Sequence, residues 1–427
     1  MKFVLASYGG RGDVEPAVVV GRELLRRGHE VHMAVPPNLV GFAEAAGLAA
    51  VAYGLDSQPI LDAQRNYWTC YFRTPWKLKE LNRMGRETQE FATKCWGEMT
   101  TALRSVADGA DLLLTGLIFE QPAVNVAEYY DIPLATLHFF PVRAHGQLLP
   151  FVPSPLSRIG MTVNDWLVWR GMRKGEDAQR RQLGLPKATS PAPQRIAERG
   201  SLEVQAYDEV CFPGLASEWA KKWDRQRPFV GALALGLATD ADEEVASWIA
   251  EGTPPIFFGF GSIPVESPAD TIAMIGAACA QLGERALVGA GSSDFSNVPH
   301  FDHVKVVGVV NYAAIFPTCR AVVHHGGAGT LAAGLRAGVP QLILWTLPDQ
   351  PFFAAQLKRL KVGCGRRFST TTEKSLVADL GKVLAPQYAA RAREIATRMS
   401  TPAASAAAAA DRVENFARLR SRRGCTT

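Results

Sequence analysis

The sequence predicts an α/β protein with two doubly wound parallel sheets. Short apolar runs alternate with helical patterns, which is typical of parallel strands covered by helices on both faces. The runs form two series separated by a stretch of mixed composition, and a length of 427 residues suits two domains. Glycine turns follow three of the runs, at the sheet edge where such folds bind ligands.

The first series of strands predicts an N-terminal domain over residues 1–215. Its apolar runs are Phe3 to Ser7, Val31 to Val35, Leu112 to Thr115, Leu134 to Phe139 and Glu203 to Ala206. Prolines and glycines then interrupt the pattern at Pro213, Pro228 and Gly236, so we predict a linker over residues 216–235.

The second series predicts a C-terminal domain over residues 236–400, facing the first across a cleft. Its runs are Ile256 to Phe260, Ala286 to Val288, Val304 to Val307, Ala321 to His324 and Gln341 to Trp345. Residues 401–427 are alanine-rich and then carry Val413, Phe416 and Leu419 at helical spacing. We expect one amphipathic helix there.

The segment AVVHHGGAGT, residues 321–330, holds the most informative turn. Its glycines allow a ligand to approach the backbone, and the N-terminus of the following helix favours phosphate oxygens. The next strand leads to Asp349 and Gln350, whose side chains can bind hydroxyl groups. Neighbouring sites for phosphate and hydroxyl groups indicate a nucleotide sugar.

This region resembles the donor-binding region of the family 1, GT-B-fold glycosyltransferases. The runs HHGGAGT, AGVPQL and DQP carry the resemblance, which is closest to the bacterial branch acting on glycopeptide antibiotics, macrolides, sterols and mycobacterial glycopeptidolipids. It implies that His324 contacts the donor diphosphate and that Asp349 and Gln350 hold sugar hydroxyls. It also implies that the terminal helix, residues 401–427, crosses back to the N-terminal domain. The donor-site candidates are Gly10, Gly12, Ser262, Val310, His324, Gly326, Gly327, Gly329, Thr330, Asp349 and Gln350.

The N-terminal turn, GGRGDVEP, supplies the candidate for the chemistry. Pro16 suits the first position of a helix, so we expect Glu15 as its cap and Asp13 in the loop ahead of it. In the resembling enzymes the matching aspartate is the proposed general base, which takes the proton of the attacking hydroxyl. A purely capping or turn role for Asp13 is the alternative.

Acceptor recognition is expected in the N-terminal half, where aromatic side chains overlap on helix faces among basic residues. These side chains predict a lid over an apolar acceptor, with Trp166 and Trp169 as a second wall, and core packing is the alternative for both groups. The acceptor-site candidates are Trp68, Tyr71, Phe72, Trp76 and His138.

Composition excludes several classes of function. The net charge of +5 is spread over the chain, which argues against a nucleic-acid partner, and no run of ~20 apolar residues could span a bilayer. The start MKFVLASYGG lacks a signal-peptide pattern and predicts a cytoplasmic protein. A basic tail at Arg418, Arg420, Arg422 and Arg423 could contact an anionic membrane surface, or could simply be a solvated helix end.

We predict neither a metal nor a cofactor, since the nucleotide sugar is a substrate. The seven cysteines contain no Cys-x-x-Cys pair, and Asp240-Ala241-Asp242 suits a helix start better than a metal site. An NAD- or flavin-dependent oxidoreductase is disfavoured because Glu15 stands where its fingerprint requires a third glycine.

Together with the resemblance, these residues predict an inverting, metal-independent hexosyltransferase. It would move a hexose or deoxyhexose, such as rhamnose or 6-deoxytalose, from a dTDP sugar to a hydroxyl of a hydrophobic acceptor of the glycolipid or glycopeptidolipid type. A UDP-glucose-dependent sterol or natural-product glucosyltransferase is the first alternative. A sugar-nucleotide epimerase is the second.

Overall fold

The computed structural model describes residues 1–148, 152–261, 267–291 and 293–424, with side chains as far as residue 420. It divides the chain into two units, Met1–Leu235 with Thr401–Thr427 and Gly236–Ser400. Each unit contains a six-stranded parallel sheet, which confirms the predicted fold class.

The sheet of the first unit has the strand order β3-β2-β1-β4-β5-β6. Its strands are β1 Lys2–Ala6, β2 Glu30–Val35, β3 Ala49–Ala52, β4 Leu112–Gly116, β5 Leu134–His138 and β6 Leu202–Gln205. Its helices are α1 Arg11–Arg26, α2 Val40–Ala45, α3 Gln58–Arg73, α4 Leu78–Ala107, α5 Glu120–Tyr129, α6 Ser154–Gln182, α7 Ala192–Glu198 and α8 Leu215–Trp219. Central strands such as β4 are buried along their whole length, as continuous apolar runs in parallel sheets should be.

The sheet of the second unit has the order β12-β11-β10-β7-β8-β9. Its strands are β7 Ile256–Gly259, β8 Ala286–Gly289, β9 Val304–Val307, β10 Ala321–His324, β11 Gln341–Trp345 and β12 Gly363–Arg367. Its helices are α9 Asp242–Ala250, α10 Pro268–Leu282, α11 Tyr312–Ile315, α12 Ala328–Ala337, α13 Gln350–Leu360, α14 Glu373–Val383 and α15 Pro386–Ala396.

The last helix, α16 Pro402–Gly424, packs on the first unit. Its apolar spacing predicted an amphipathic helix, and the family resemblance implied the crossing. Its buried face places Ala409, Ala410, Val413 and Ala417 in the core beneath α1. Arg27, the C-cap of α1, forms ion pairs with Asp411 and Glu414, each at 2.6 Å.

Residues 216–235, predicted as a linker, lie within the first unit instead. Phe229 forms a parallel bridge with Gln205 at the end of β6, and Arg227 donates to Glu203 of that strand at 3.0 Å. The segment therefore extends the edge of the first sheet. Its prolines and glycines predicted a linker because they do not indicate this pairing.

Candidate functional site

The glycine turn joins β10 to α12 at the carboxyl end of a central strand of the second sheet. Gly327 is the N-cap of α12, and Gly326 adopts a φ of +100°, which favours glycine. A Cβ on Gly326 would lie 3.0 Å from side-chain carbons of Gln350 and Ile343. The turn thus packs directly against the segment that follows β11, so the two donor-site motifs of the sequence adjoin.

His324 holds the turn through both of its ring nitrogens. Its Nδ1 accepts the N–H of Gly326 at 3.2 Å, and its Nε2 donates to Oε1 of Gln341 at 2.9 Å. The ring is almost fully buried, and burial lowers its pKa to about 3, so it is neutral at physiological pH. A contact between this ring and a diphosphate would require one of the two hydrogen bonds to break, and the predicted contact stays a prediction.

His325 is a site residue that the sequence reasoning missed. Its ring lies beside Gly327 and Gly261, because a Cβ on Gly327 would stand 2.7 Å from its Nε2 and a Cβ on Gly261 would collide with its Cε1. Its Nδ1 is buried and makes no hydrogen bond of normal geometry among the described residues, although the Gly259 backbone is near enough to the ring to oppose the lowering of its pKa by burial. Buried nitrogens seldom stay unpaired, so this atom points to a ligand that completes its hydrogen bonding.

Asp349 and Gln350 have different surroundings, since Gln350 has a structural role in the protein interior and Asp349 is exposed. Gln350 is buried, and its Oε1 accepts the N–H groups of Thr346 at 2.7 Å and Leu347 at 2.9 Å, which folds the loop after β11. Asp349 precedes α13 and is exposed. Hydroxyl binding by either side chain stays a prediction, and for Gln350 it would use the amide NH₂ group.

The remaining donor-site candidates of this unit differ in how far they are exposed. Gly329 is exposed and Thr330 is buried in the first turn of α12, whereas Val310 packs in the core with Phe257 and Phe316. Val310 can therefore contribute shape or backbone groups rather than an exposed side chain. Ser262 lies outside the described residues.

The N-terminal turn departs from the prediction. The first helix begins at Arg11 with Gly10 as its N-cap, so Asp13 stands in the first helical turn and not in a loop ahead of Pro16. Oδ2 of Asp13 accepts the N–H of Gly10 at 2.7 Å. This bond satisfies one N–H group that the helix start leaves without a partner, which explains why the helix starts earlier than Pro16 suggests.

The neighbours of Asp13 in this turn are Glu15, Gly10 and Gly12, and the first two are engaged in local contacts. Glu15, predicted as the helix cap, instead accepts the N–H of Leu235 at 2.8 Å and pairs with Arg11 at 3.5 Å. The N–H of Gly10 is engaged by Asp13, while Gly12 is exposed with open space at its Cβ position. Of the two glycines, Gly12 leaves more room for a ligand.

The structure brings the predicted acceptor aromatics together. Trp68 lies 5.6 Å from Tyr71 and 5.9 Å from Phe72, measured between ring centroids on α3. Trp76 stands between α3 and α4 and is 73% exposed. Trp169 of the predicted second wall is buried and donates to Glu176, while Trp166 is exposed, so these two side chains do not form one surface.

His138, the other acceptor candidate, belongs to a buried ionic cluster, which we define as Glu120, His138, Arg143, Glu203 and Arg227. Nε2 of His138 pairs with Glu120 at 2.8 Å, Arg143 donates to both oxygens of Glu120 and also to Glu203, and Arg227 donates to Glu203. His138 has no exposed surface in this arrangement, and burial lowers its pKa. Its contact with an acceptor stays a prediction and would require this cluster to open.

Asp242, part of the sequence that imitates a metal motif, begins α9 as predicted. Its carboxylate accepts the N–H of Thr239 and the N–H of Asn311, each at 2.8 Å. Although some burial opposes it, these hydrogen bonds lower its pKa. Among the described residues, no cluster of histidine, cysteine or carboxylate side chains could hold a metal ion.

Buried histidines predict a loss of stability in acid. Burial lowers the pKa of His324 to about 3 and those of His145 and His325 to about 4, and it also lowers that of His138. A depressed histidine pKa stabilises the fold above the unfolded pKa, near ~6.5, and this stability is lost as the pH falls through the folded values. Two carboxyl groups act in the opposite direction, since burial raises the pKa of Asp165 to about 6 and partial desolvation of its carboxylate also raises that of Asp349, but the four histidines outnumber them.

We therefore expect the melting temperature to fall steadily between about pH 6.5 and about pH 4. Differential scanning fluorimetry over this range measures it. His145→Gln, which keeps a hydrogen-bonding side chain without a titrating ring, should flatten the profile. A melting temperature that is constant over the range would contradict the assignment of neutral buried rings.

Comparisons with known proteins show the family of the chain and agree with its fold. Residues 259–415 match the family described as erythromycin biosynthesis protein CIII-like, C-terminal domain. The chain is 61% identical to the glycosyltransferase Rv1524 of Mycobacterium tuberculosis over 98% of its own length and 99% of that protein. It is 18% identical to the solved glycotransferase of kitacinnamycin, with a TM-score of 0.72 over 97% of this chain and 98% of that one. The glycosyltransferase VinC, solved in complex with dTDP, is also 18% identical, with a TM-score of 0.60 over 99% and 100% of the two chains.

Proposed function

The chain belongs to the family 1, GT-B-fold glycosyltransferases, which act on nucleotide sugars, and from this premise we propose a donor, an acceptor class and a mechanism. The donor is a dTDP sugar carrying a hexose or deoxyhexose, such as rhamnose or 6-deoxytalose. The acceptor is a hydroxyl group of a hydrophobic molecule of the glycolipid or glycopeptidolipid type. The transfer inverts the anomeric carbon and needs no metal ion.

The unpaired Nδ1 of His325 is the observation that carries this proposal. The His325 ring adjoins the N-terminus of α12 through Nε2, which would stand 2.7 Å from a Cβ on Gly327, while Nδ1 lies on the side of Gly261. Backbone N–H groups and the helix dipole at such a terminus favour anionic oxygens. We assign the diphosphate contact to His325 and give His324 the role of a positioning residue for the turn. A bound diphosphate would raise the pKa of His325, since a nearby negative charge favours the protonated ring.

The mechanism follows from the charges that a sugar transfer develops. The acceptor oxygen forms a bond to the anomeric carbon as the bond to the diphosphate oxygen breaks, and the diphosphate leaves with the electron pair. Asp13 takes the acceptor proton. His325 and the N–H groups of the glycine turn stabilise the leaving charge without a metal. A single displacement of this kind inverts the configuration.

The choice of dTDP is supported by VinC, which was solved with that nucleotide, and by the resemblance to deoxysugar transferases. The choice of an apolar acceptor is supported by the aromatic cluster of Trp68, Tyr71 and Phe72 with exposed Trp76. Aromatic side chains bury large apolar areas, which suits a lipid or natural-product surface.

We also propose that the enzyme acts in the cytoplasm and contacts the inner face of the membrane, since a glycolipid acceptor would reside there. The basic tail supplies only part of such a contact. Arg420 donates to the carbonyls of Arg199 at 2.6 Å and Gly200 at 2.9 Å, and Arg418 pairs with Glu414 at 3.7 Å. These two arginines therefore serve the packing of α16.

Thermal stabilisation by nucleotides tests the donor proposal. A ligand that binds only the folded state stabilises it by about 2.7 kcal/mol at a hundredfold excess over Kd, so dTDP should raise the melting temperature. The shift should shrink in His325→Ala and persist in Asp13→Asn. His324→Ala is the matched control, because it should lower the melting temperature without nucleotide by removing two buried hydrogen bonds.

Other outcomes would redirect the proposal. A shift with UDP and none with dTDP would favour the UDP-glucose-dependent glucosyltransferase. A free epimerised nucleotide sugar without a glycosylated acceptor would favour the epimerase. A full shift in His325→Ala would remove this residue from the donor site.

A further inference from the structure

The N-terminal half of α6 exposes a concentration of large apolar side chains. Of the fourteen exposed large apolar residues among the described part of the chain, six lie between residues 156 and 168 of this helix. Their exposed fractions range from 44% to 61%. The six are Leu156, Ile159, Val163, Trp166, Leu167 and Val168. Folded proteins seldom leave such a group uncovered unless it contacts a partner or a membrane.

Five of these residues form a stripe along one helix face. Leu156, Ile159, Val163, Trp166 and Leu167 follow one another at intervals of three, four, three and one residues, which keeps them on the same side of the helix. We call them the α6 apolar stripe. Val168 stands beside it.

The same face turns basic at its C-terminal end. Arg170, Arg173 and Lys174 continue the α6 apolar stripe and are all exposed. We call these three residues the α6 basic belt. The guanidinium group of Arg170 stands 5.0 Å above the Trp166 ring, at the border between the two groups. The only acidic residue between positions 154 and 174 is Asp165, which is partly buried.

The helix carrying the α6 apolar stripe is firmly held at its other end. Trp169 donates to Glu176 at 2.8 Å, and Glu176 pairs with Arg195 of α7. Arg180 and Gln179 each hydrogen-bond to Asn125 of α5 at 2.7 Å. The exposed half therefore continues from an anchored helix, and its apolar face is presented on a rigid support.

The spacing of the two groups fits the layers of a lipid surface. Seven residues separate Val163 from Arg170, which is about 10 Å along a helix, so a helix inclined with its N-terminal end toward the acyl chains would place the α6 apolar stripe deeper than the α6 basic belt. Membrane-bound amphipathic helices bury their apolar side chains about 5–10 Å into the headgroup–acyl boundary, while basic side chains remain at the anionic headgroups.

We propose that the N-terminal half of α6 docks on an anionic lipid surface, with the α6 apolar stripe entering the headgroup–acyl boundary and the α6 basic belt against lipid phosphates. This rests on the proposed membrane contact and gives it a location that the basic tail does not. No described helix is long and apolar enough to cross a membrane, and the docking needs none. It places the enzyme where a lipid acceptor would be available.

Cosedimentation of the full chain with vesicles tests the docking, without any nucleotide. Binding is expected with phosphatidylglycerol mixed into phosphatidylcholine, and it should weaken with phosphatidylcholine alone and with added salt. The combined variant Ile159→Ser, Val163→Ser and Leu167→Ser should lower the vesicle partition coefficient about tenfold or more, since it removes buried apolar area. Arg170→Glu with Lys174→Glu should abolish the preference for anionic vesicles.

Leu419→Ser is the matched control, because Leu419 is 63% exposed on the basic helix α16. It should bind vesicles like the unchanged chain, and all variants should keep their melting temperatures because the altered side chains are exposed. Vesicle binding by the α6 triple variant equal to that of the unchanged chain would overturn the proposal. So would an unchanged chain that binds no vesicles but forms a dimer in light scattering, if the triple variant loses that dimer. Melting-temperature shifts with dTDP, measured on the same variants, separate a failure of docking from a failure of the donor assignment.

Discussion

Asp13→Asn is expected to lower kcat by about 10²–10⁴-fold, the range typical of losing a general base. Asparagine has nearly the same shape and keeps an oxygen that can accept the N–H of Gly10, which Oδ2 of Asp13 accepts at 2.7 Å. It cannot take the proton of the acceptor hydroxyl. The loss should therefore appear in turnover, measured with dTDP sugar and acceptor at saturation, while dTDP still raises the melting temperature.

A second variant separates the chemical role of Asp13 from its structural one. Asp13→Ala removes both the proton acceptor and the hydrogen bond at the start of α1, so it should lose turnover and also about 1 kcal/mol of stability. If Asp13 only caps the helix, Asp13→Asn would turn over like the unchanged enzyme and Asp13→Ala would lose stability alone. That pair of results would contradict the assignment of the base.

Arg143→Met is expected to lower the free energy of unfolding by about 3–5 kcal/mol, because it breaks a buried ionic cluster by removing one partner. Arg143 donates to Glu120 at 2.9 and 3.0 Å and also to Glu203, and all three side chains are buried. Burial alone would raise the pKa of Glu120, yet Arg143 and His138 lower it to about 2. Without Arg143, Glu203 would keep Arg227, whereas Glu120 would keep only His138, whose burial favours the neutral ring. Urea unfolding followed by circular dichroism measures the loss.

Arg158→Met is the matched control for this prediction. Arg158 forms one ion pair with Glu218 at 2.7 Å, but its side chain is 48% exposed, so its loss should cost less than about 1 kcal/mol. Adding Glu120→Gln to Arg143→Met should recover part of the stability, because it removes a buried negative charge. Equal losses in the two arginine variants would contradict the importance of burial in this cluster.

Continuous apolar runs made most of the sheet architecture predictable. Ten strands begin and end within one residue of the predicted positions, since buried parallel strands require apolar side chains on both faces. The two missed strands, β3 with the sequence AAVA and β12 with GCGRR, each lie at the edge of a sheet. An edge strand is held by hydrogen bonds to a single neighbouring strand, so its side chains need not be strongly apolar.

Local rules also misplaced the start of α1. Pro16 marks a favoured first position, but the helix begins at Arg11 because the side chain of Asp13 satisfies the N–H of Gly10. The two adjacent histidines show the same limit for the site. The family resemblance implied that His324 contacts the diphosphate. In the structure both nitrogens of that ring are hydrogen-bonded, whereas Nδ1 of His325 makes no hydrogen bond of normal geometry among the described residues.

The sequence by itself determined the α/β class, most strands, the glycine turn at a sheet edge and the family, because these depend on residue patterns that are close together along the chain. Tertiary structure decided which histidine is engaged, how residues 216–235 join the first unit, and that the apolar face of α6 stays uncovered. Those outcomes depend on hydrogen bonds and burial between residues far apart in the chain, such as His324 with Gln341 and Glu203 with Arg227. No local pattern encodes such contacts, since each is formed only when the sheets have brought its partners together.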